Sequence, residues 1–129
     1  MLRYEAESSA PPRVVWPLLA EPARWHEWAP HVRGAIRLGA PEVEAGRVGV
    51  VRLAGVVPVP ARITAKQAGR SWTRRVGAVT LHHEVRRRRG GSIVALEIEA
   101  NGAVEAGLRA TYGPLCALLI RRLARRAAA

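Results

Sequence analysis

The chain has 129 residues and a hydrophobic fraction of 49%, the length and composition of one ordinary globular domain spanning 1–129. No run approaches the roughly 18 apolar residues of a membrane span. Met1-Leu2-Arg3-Tyr4-Glu5 lacks the charged-then-apolar pattern of a signal peptide, and the lone Cys116 excludes an internal disulfide, so cytoplasmic residence is expected.

Lys plus Arg is 21 against 10 acids, a net charge of +11. Such a balance can attract nucleic acid or anionic lipid. Lys66 is the one lysine and aspartate is absent, however, which fits a coding bias toward arginine. Nucleic acid is therefore not an expected partner.

Leu2 to Ser8 alternates, with Leu2, Tyr4 and Ala6 opposite Arg3, Glu5 and Glu7, and reads as a half-buried strand. Ser8, Ser9 and Pro11-Pro12 then signal a helix start. Arg13 to Ala20 is a short helix turning Val14 and Leu18 inward, with Val15 and Leu19 as further candidates for that side, shortened or bent by Pro17. A second short helix, Ala23 to Trp28, follows Glu21-Pro22 and closes at Pro30.

Six strands come next. Val32 to Leu38 groups Gly34, Ile36 and Leu38; Arg47 to Ala54 is apolar on both faces; Val59 to Lys66 groups Val59, Ala61, Ile63 and Ala65. Arg70 to Val76 puts Trp72, Arg74 and Val76 on one face, and Val79 to Val85 does the same for Leu81, His83 and Val85. Gly90-Gly91 marks a hairpin turn, after which Ile93 to Ala100 groups Val94, Leu96 and Ile98. Beyond Asn101-Gly102 the period turns helical: Val104, Leu108, Tyr112, Leu115, Leu119 and Leu123 share a face, with a kink expected at Gly113-Pro114.

Successive hairpins imply an antiparallel sheet of about seven strands with one apolar face, and only the C-terminal helix is long enough to cover it. The expected fold class is α+β, a curved sheet gripping a long C-terminal helix, with two short helices after the first strand.

Ala10-Pro11-Pro12-Arg13-Val14-Val15-Trp16-Pro17-Leu18-Leu19-Ala20, then Glu21-Pro22-Ala23-Arg24-Trp25-His26-Glu27-Trp28, then the apolar helix from Val104, resemble the START-like helix-grip superfamily. The likeness is to its polyketide cyclase/dehydrase branch and runs over nearly the whole chain. It implies a hydrophobic cavity between sheet and helix, holding a lipid-like or polycyclic small molecule. It does not by itself imply a reaction.

Arg74, between Trp72 and Val76 on the apolar face, either grips a ligand oxygen or snorkels from a shifted strand. His83 shares that face; it is either a proton shuttle or a satisfied core histidine. Tyr112 faces the sheet beside the helix kink, and its hydroxyl needs a partner. If the chain is a cyclase or dehydratase, Arg74, His83 and Tyr112 are its candidate catalytic groups. Trp28 and Trp72 are candidate cavity walls, and Leu81, Leu96, Leu108, Leu115 and Leu119 complete the ligand-binding set. Trp16 and Trp25 are expected to pack between the short helices and the sheet. Cys116 reads as a small core residue. Nucleophile, phosphate-loop and dinucleotide motifs are missing, the histidines lack metal-ligand spacing, and no cofactor is expected. Arg86-Arg87-Arg88-Arg89 at a hairpin tip and the basic end of the last helix would allow transient contact with an anionic membrane. Oligomeric state is open.

Overall fold

In the computed structural model, which describes residues 1–53 and 57–129, strand β1 (Leu2–Ser8) leads into helix α1 (Pro12–Ala20) and a 3₁₀ turn (Pro22–Glu27). Strands β2 (Val32–Ile36), β3 (Val48–Leu53), β4 (Val57–Gln67), β5 (Ser71–Val76), β6 (Val79–Arg88) and β7 (Gly91–Glu99) follow. Helices α2 (Gly102–Thr111) and α3 (Gly113–Ala128) end the chain. The sheet is antiparallel and seven-stranded, in the order β1-β7-β6-β5-β4-β3-β2. Of the strand expected at 47–54, Ala54 lies outside the described residues.

The alternation read from the sequence holds in β1, β5, β6 and β7. Leu81, His83 and Val85 face Ile98, Leu96 and Val94 in turn across the β6–β7 register, and all are buried. It fails in β2 and β4 because each carries a bulge. The irregularity between Val32 and Gly34, where Gly34 has φ +140°, shifts the register by one. Val32 and Ala35 therefore pack inside while Ile36 is 41% exposed. A second bulge between Ile63 and Ala65 turns Ala65 outward and sets Lys66 opposite Trp72.

The single C-terminal helix predicted is two helices meeting at Tyr112. Pro114 has no N–H to offer the preceding turn, so the ladder breaks there. Tyr4 packs on Gly113 so closely that a Cβ would strike its hydroxyl. The face of α3 buried against the sheet is Cys116, Leu119, Ile120, Leu123, Ala124 and Ala127, whereas α2 buries no residue fully, and Val104 is 37% exposed. In α1, Val15, Leu18 and Leu19 point inward, and Val14, expected inside, lies outside.

Candidate functional site

Helix α1 ends beside the cavity, and its last carbonyls have no partner within the helix. Here each is satisfied. The Glu21 N–H donates to Pro17 O (2.9 Å) and the Val43 N–H to Ala20 O (2.9 Å). Between them, the Trp28 indole donates to Leu18 O (2.8 Å), and the Trp25 and Trp72 indoles donate to Leu19 O (2.9 and 3.1 Å). Three indole rings are thus fixed by one helix end and turned toward the space under α3. The 3₁₀ turn is held over that space from the other side. Glu27 pairs with Arg126 of α3 (3.1 Å) and with Arg24 (2.9 Å), and Arg122 Nε donates to Trp28 O (3.2 Å).

Among the described residues, two hollows lie between sheet and helices. The inner one, of about 70 Å³, is walled mainly by buried side chains, among them Trp25, Trp72, His83, Leu96, Cys116 and Leu119. The outer one, of about 250 Å³, lies toward α2 and is bounded by Val59, Val76, Val79, Leu81, Ile98 and Leu108. Val51, Leu53, Arg74 and Tyr112 line both, and so form the partition between them.

The polar groups around the inner hollow are few, and two of them, on Arg74 and His83, carry a buried atom without a partner. Arg74 Nε is sealed from solvent without a hydrogen-bond partner, although the residue as a whole is only half-buried; among the described residues Arg74 has no carboxylate partner. Burial pushes its guanidinium below the ordinary value, against the pull of Tyr112 and Cys116, yet an arginine remains protonated. His83 Nδ1 is likewise buried and unpartnered. Desolvation first, then the Arg74 charge, hold His83 well below the ordinary histidine range. Burial raises the Tyr112 phenol, and it pushes the Cys116 thiol up to about 11. His31, at the edge of the inner hollow, is lowered by burial and by Arg74. The hollow is therefore apolar, with one fixed positive charge and neutral groups around it.

Of the residues expected from the sequence, Trp28, Trp72, Arg74, His83, Leu96, Tyr112 and Leu119 border the inner hollow. Leu81, Leu108, Arg74 and Tyr112 border the outer one. Leu115 borders neither; it is half-buried and packs on the core. Trp25, assigned to packing alone, is also a cavity wall, as are His31 and Cys116. Parity along strands could not find His31, which lies in a loop, whereas Cys116 falls one turn from Leu119 on the same helix face. The arginine-rich β6–β7 turn lies at the opposite end of the fold from the outer hollow. There Ser92 Oγ donates to Ala10 O (2.7 Å) and Ser8 Oγ to Ala124 O (2.8 Å), joining that turn to the ends of β1 and α3.

A search of curated proteins finds no match to the sequence. Among solved structures, a protein from Staphylococcus saprophyticus superposes with a TM-score of 0.78 at 10% identity, over 95% of this chain and 87% of that one. A Nitrosomonas europaea protein gives 0.75 at 15% identity, over 98% and 92%. Ara h 8.0201 gives 0.66 at 12% identity, over 98% and 95%. At such identities the likeness shows the fold alone, an α+β helix-grip. The family model described as polyketide cyclase/dehydrase and lipid transport matches residues 2–128, and the chain belongs to that family.

Proposed function

We propose that the chain binds a hydrophobic small molecule, lipid-like in character, between the sheet and the C-terminal helices. The observation that carries this reading is the pair of apolar hollows meeting at Arg74 and Tyr112. A well-packed core of this size would leave few voids larger than a water. Buried polar atoms without partners, Arg74 Nε and His83 Nδ1, add to it, since such atoms are rare in a finished core. Membership in a family described by lipid transport agrees with it. The test is saturable uptake of an apolar fluorescent probe, together with native mass spectrometry of freshly purified protein. Stoichiometric uptake supports the reading, and a folded protein that takes up none of several probes refutes it.

A second reading, a cyclase or dehydratase acting on a polyketide-like substrate, draws on Arg74, His83 and Tyr112 bordering one space. Arg74 would polarise a carbonyl, neutral His83 would accept a proton, and the Tyr112 phenol would donate a hydrogen bond. Turnover of a bound β-ketone that is lost in His83→Phe would favour it over simple carriage.

A further inference from the structure

We propose that the cavity selects a small organic monoanion, a medium-chain or single-ring carboxylate or phenolate, with its charged oxygen on Arg74 and its apolar body in the outer hollow. The inference rests on the ligand-binding reading above and narrows it to a ligand class.

The first ground is that Arg74 has no counter-ion of its own. The acids of this chain are all glutamates, and their places are known. Glu5, Glu84 and Glu97 surround Arg3 on the outer sheet face. Glu7 pairs with Arg88, Glu27 with Arg24 and Arg126, Glu42 with Lys66, Glu44 with Arg47, and Glu105 with the N-terminal amine. Glu21 borders a groove beside Pro22, and Glu99 borders the outer sheet face. None lines either hollow. A cation held partly away from water gains from an anion or a set of acceptors, and the walls supply mostly hydrocarbon.

The second ground is His83. It is the diagonal neighbour of Arg74 on the inward face, opposite Trp72 where Arg74 is opposite Leu81. The residue borders the same inner hollow, and its Nδ1 is buried and unpartnered. A neutral imidazole nitrogen can accept from a ligand O–H or donate to a ligand oxygen, according to tautomer. The two orphaned groups thus offer a carboxyl or phenol oxygen a charged donor and a neutral partner.

The third ground is size. Water occupies about 30 Å³ in the liquid, and an apolar cavity of about 150 Å³ takes up benzene. The inner hollow, at about 70 Å³, has room for a head group. The outer one, at about 250 Å³, has room for a single ring or a chain of about eight carbons. A single guanidinium matches one negative charge, and a dianion would bring a second charge for which neither hollow offers a cation.

The test compares octanoate with octanol, equal in chain and different in head, by calorimetry at neutral pH beside the neutral apolar probe. Octanoate should bind at least about tenfold more tightly, as a hydrogen bond to a charged group allows. Arg74→Met, or Arg74→Gln should the first variant fail to fold, should bring octanoate down to the level of octanol while probe uptake persists. Occupancy should slow alkylation of Cys116, which lines the inner hollow. Equal affinity for acid and alcohol overturns the monoanion inference and leaves the apolar-cavity reading standing. A preference for octanoate that survives both Arg74 variants overturns it too, since the anion would then sit on surface arginines. Failure of octanoate, octanol and probe alike overturns the underlying reading.

Discussion

The imidazole of His83 lies flat on the indole of Trp72, with ring centroids 3.9 Å apart and planes 6° from parallel. The two residues are direct cross-strand partners in β5 and β6. Trp25 stacks on Trp72 at 5.5 Å and 12°. The sheet thus meets α1 and the 3₁₀ turn through a column of three rings, anchored by the indole bonds to Leu19 O. One consequence is that His83 is kept neutral in a dry setting beside Arg74.

The pH dependence of stability follows from that neutrality. His83 has a folded pKa well below its ordinary 6.5. Above pH 6.5 neither state takes up a proton at this site, and its contribution is intact. As pH falls below 6.5 the unfolded chain binds a proton that the folded one refuses, so stability is lost, by at most about 1.4 kcal/mol per pH unit. His31, lowered as well, acts in the same direction. Urea midpoints measured from pH 7.5 down to 5 should fall, and His83→Phe, which keeps a ring on Trp72, should flatten the slope. An unchanged slope in the variant would show that His83 takes up its proton in the folded state.

Cys116 offers a chemical report on the same space. Its thiol is 1% exposed and burial raises it to about 11. At pH 8 roughly one thiol in a thousand is then ionised, and thiolate is the reactive form. An aromatic disulfide reagent should react with the native protein at least about a hundredfold more slowly than with the urea-unfolded chain. Comparable rates would mean that α3 opens readily and that the inner hollow is not enclosed.

How much of this could be read from the sequence depends on where the chain stays regular. In β5 through β7 a period of two runs without interruption, so Trp72, Arg74, Leu81, His83 and Leu96 could be assigned to one face in advance. In β2 and β4 the bulges at Arg33 and Thr64 each insert one residue, and every later side chain changes face. That reversal sent Ile36 and Ala65 outward. The turn of Trp25 into the cavity wall depends on which carbonyls α1 leaves open, a tertiary matter that no local pattern carries. Leu115 shows the limit of helical periodicity: it is in phase with Leu119, but the break at Pro114 and the narrowness of the hollow leave it on the flank.

The charge of +11 overstates what the surface presents to a polyanion. Arg3, Arg24, Arg47, Arg88 and Arg126 are in ion pairs. Exposed arginines stand at the β6–β7 end, as Arg86, Arg87 and Arg89, on α3, as Arg121, Arg122 and Arg125, and on β2 and β3, as Arg33 and Arg52. A charge spread in this way gives no single binding face. Duplex DNA should therefore bind weakly and without sequence preference, and release by about 0.2 M salt. A fluorescence anisotropy titration at rising salt measures this, and tight binding near physiological salt would contradict it.

The last prediction concerns the seam where β1, β7 and α3 meet. Ser8 and Ser92 are opposite each other in the β1–β7 register and are 4% and 0% exposed. Ser8 Oγ donates to Ala124 O (2.8 Å) and accepts from the Ala10 N–H (3.2 Å), while Ser92 Oγ donates to Ala10 O (2.7 Å). Ser8→Ala leaves a buried N–H and a buried carbonyl with one partner fewer, and should cost about 1–3 kcal/mol in urea unfolding. Ser92→Ala strips only the Ala10 carbonyl and should cost less. Both hydroxyls hold the same residue, Ala10, so the double variant should cost less than the sum, with a coupling of about 0.5 kcal/mol or more. Once either bond is lost, the segment between β1 and α1 can shift to find water, and the second loss finds it already loosened. Strictly additive costs would mean that Ala10 stays fixed by its packing alone and that the two serines act independently.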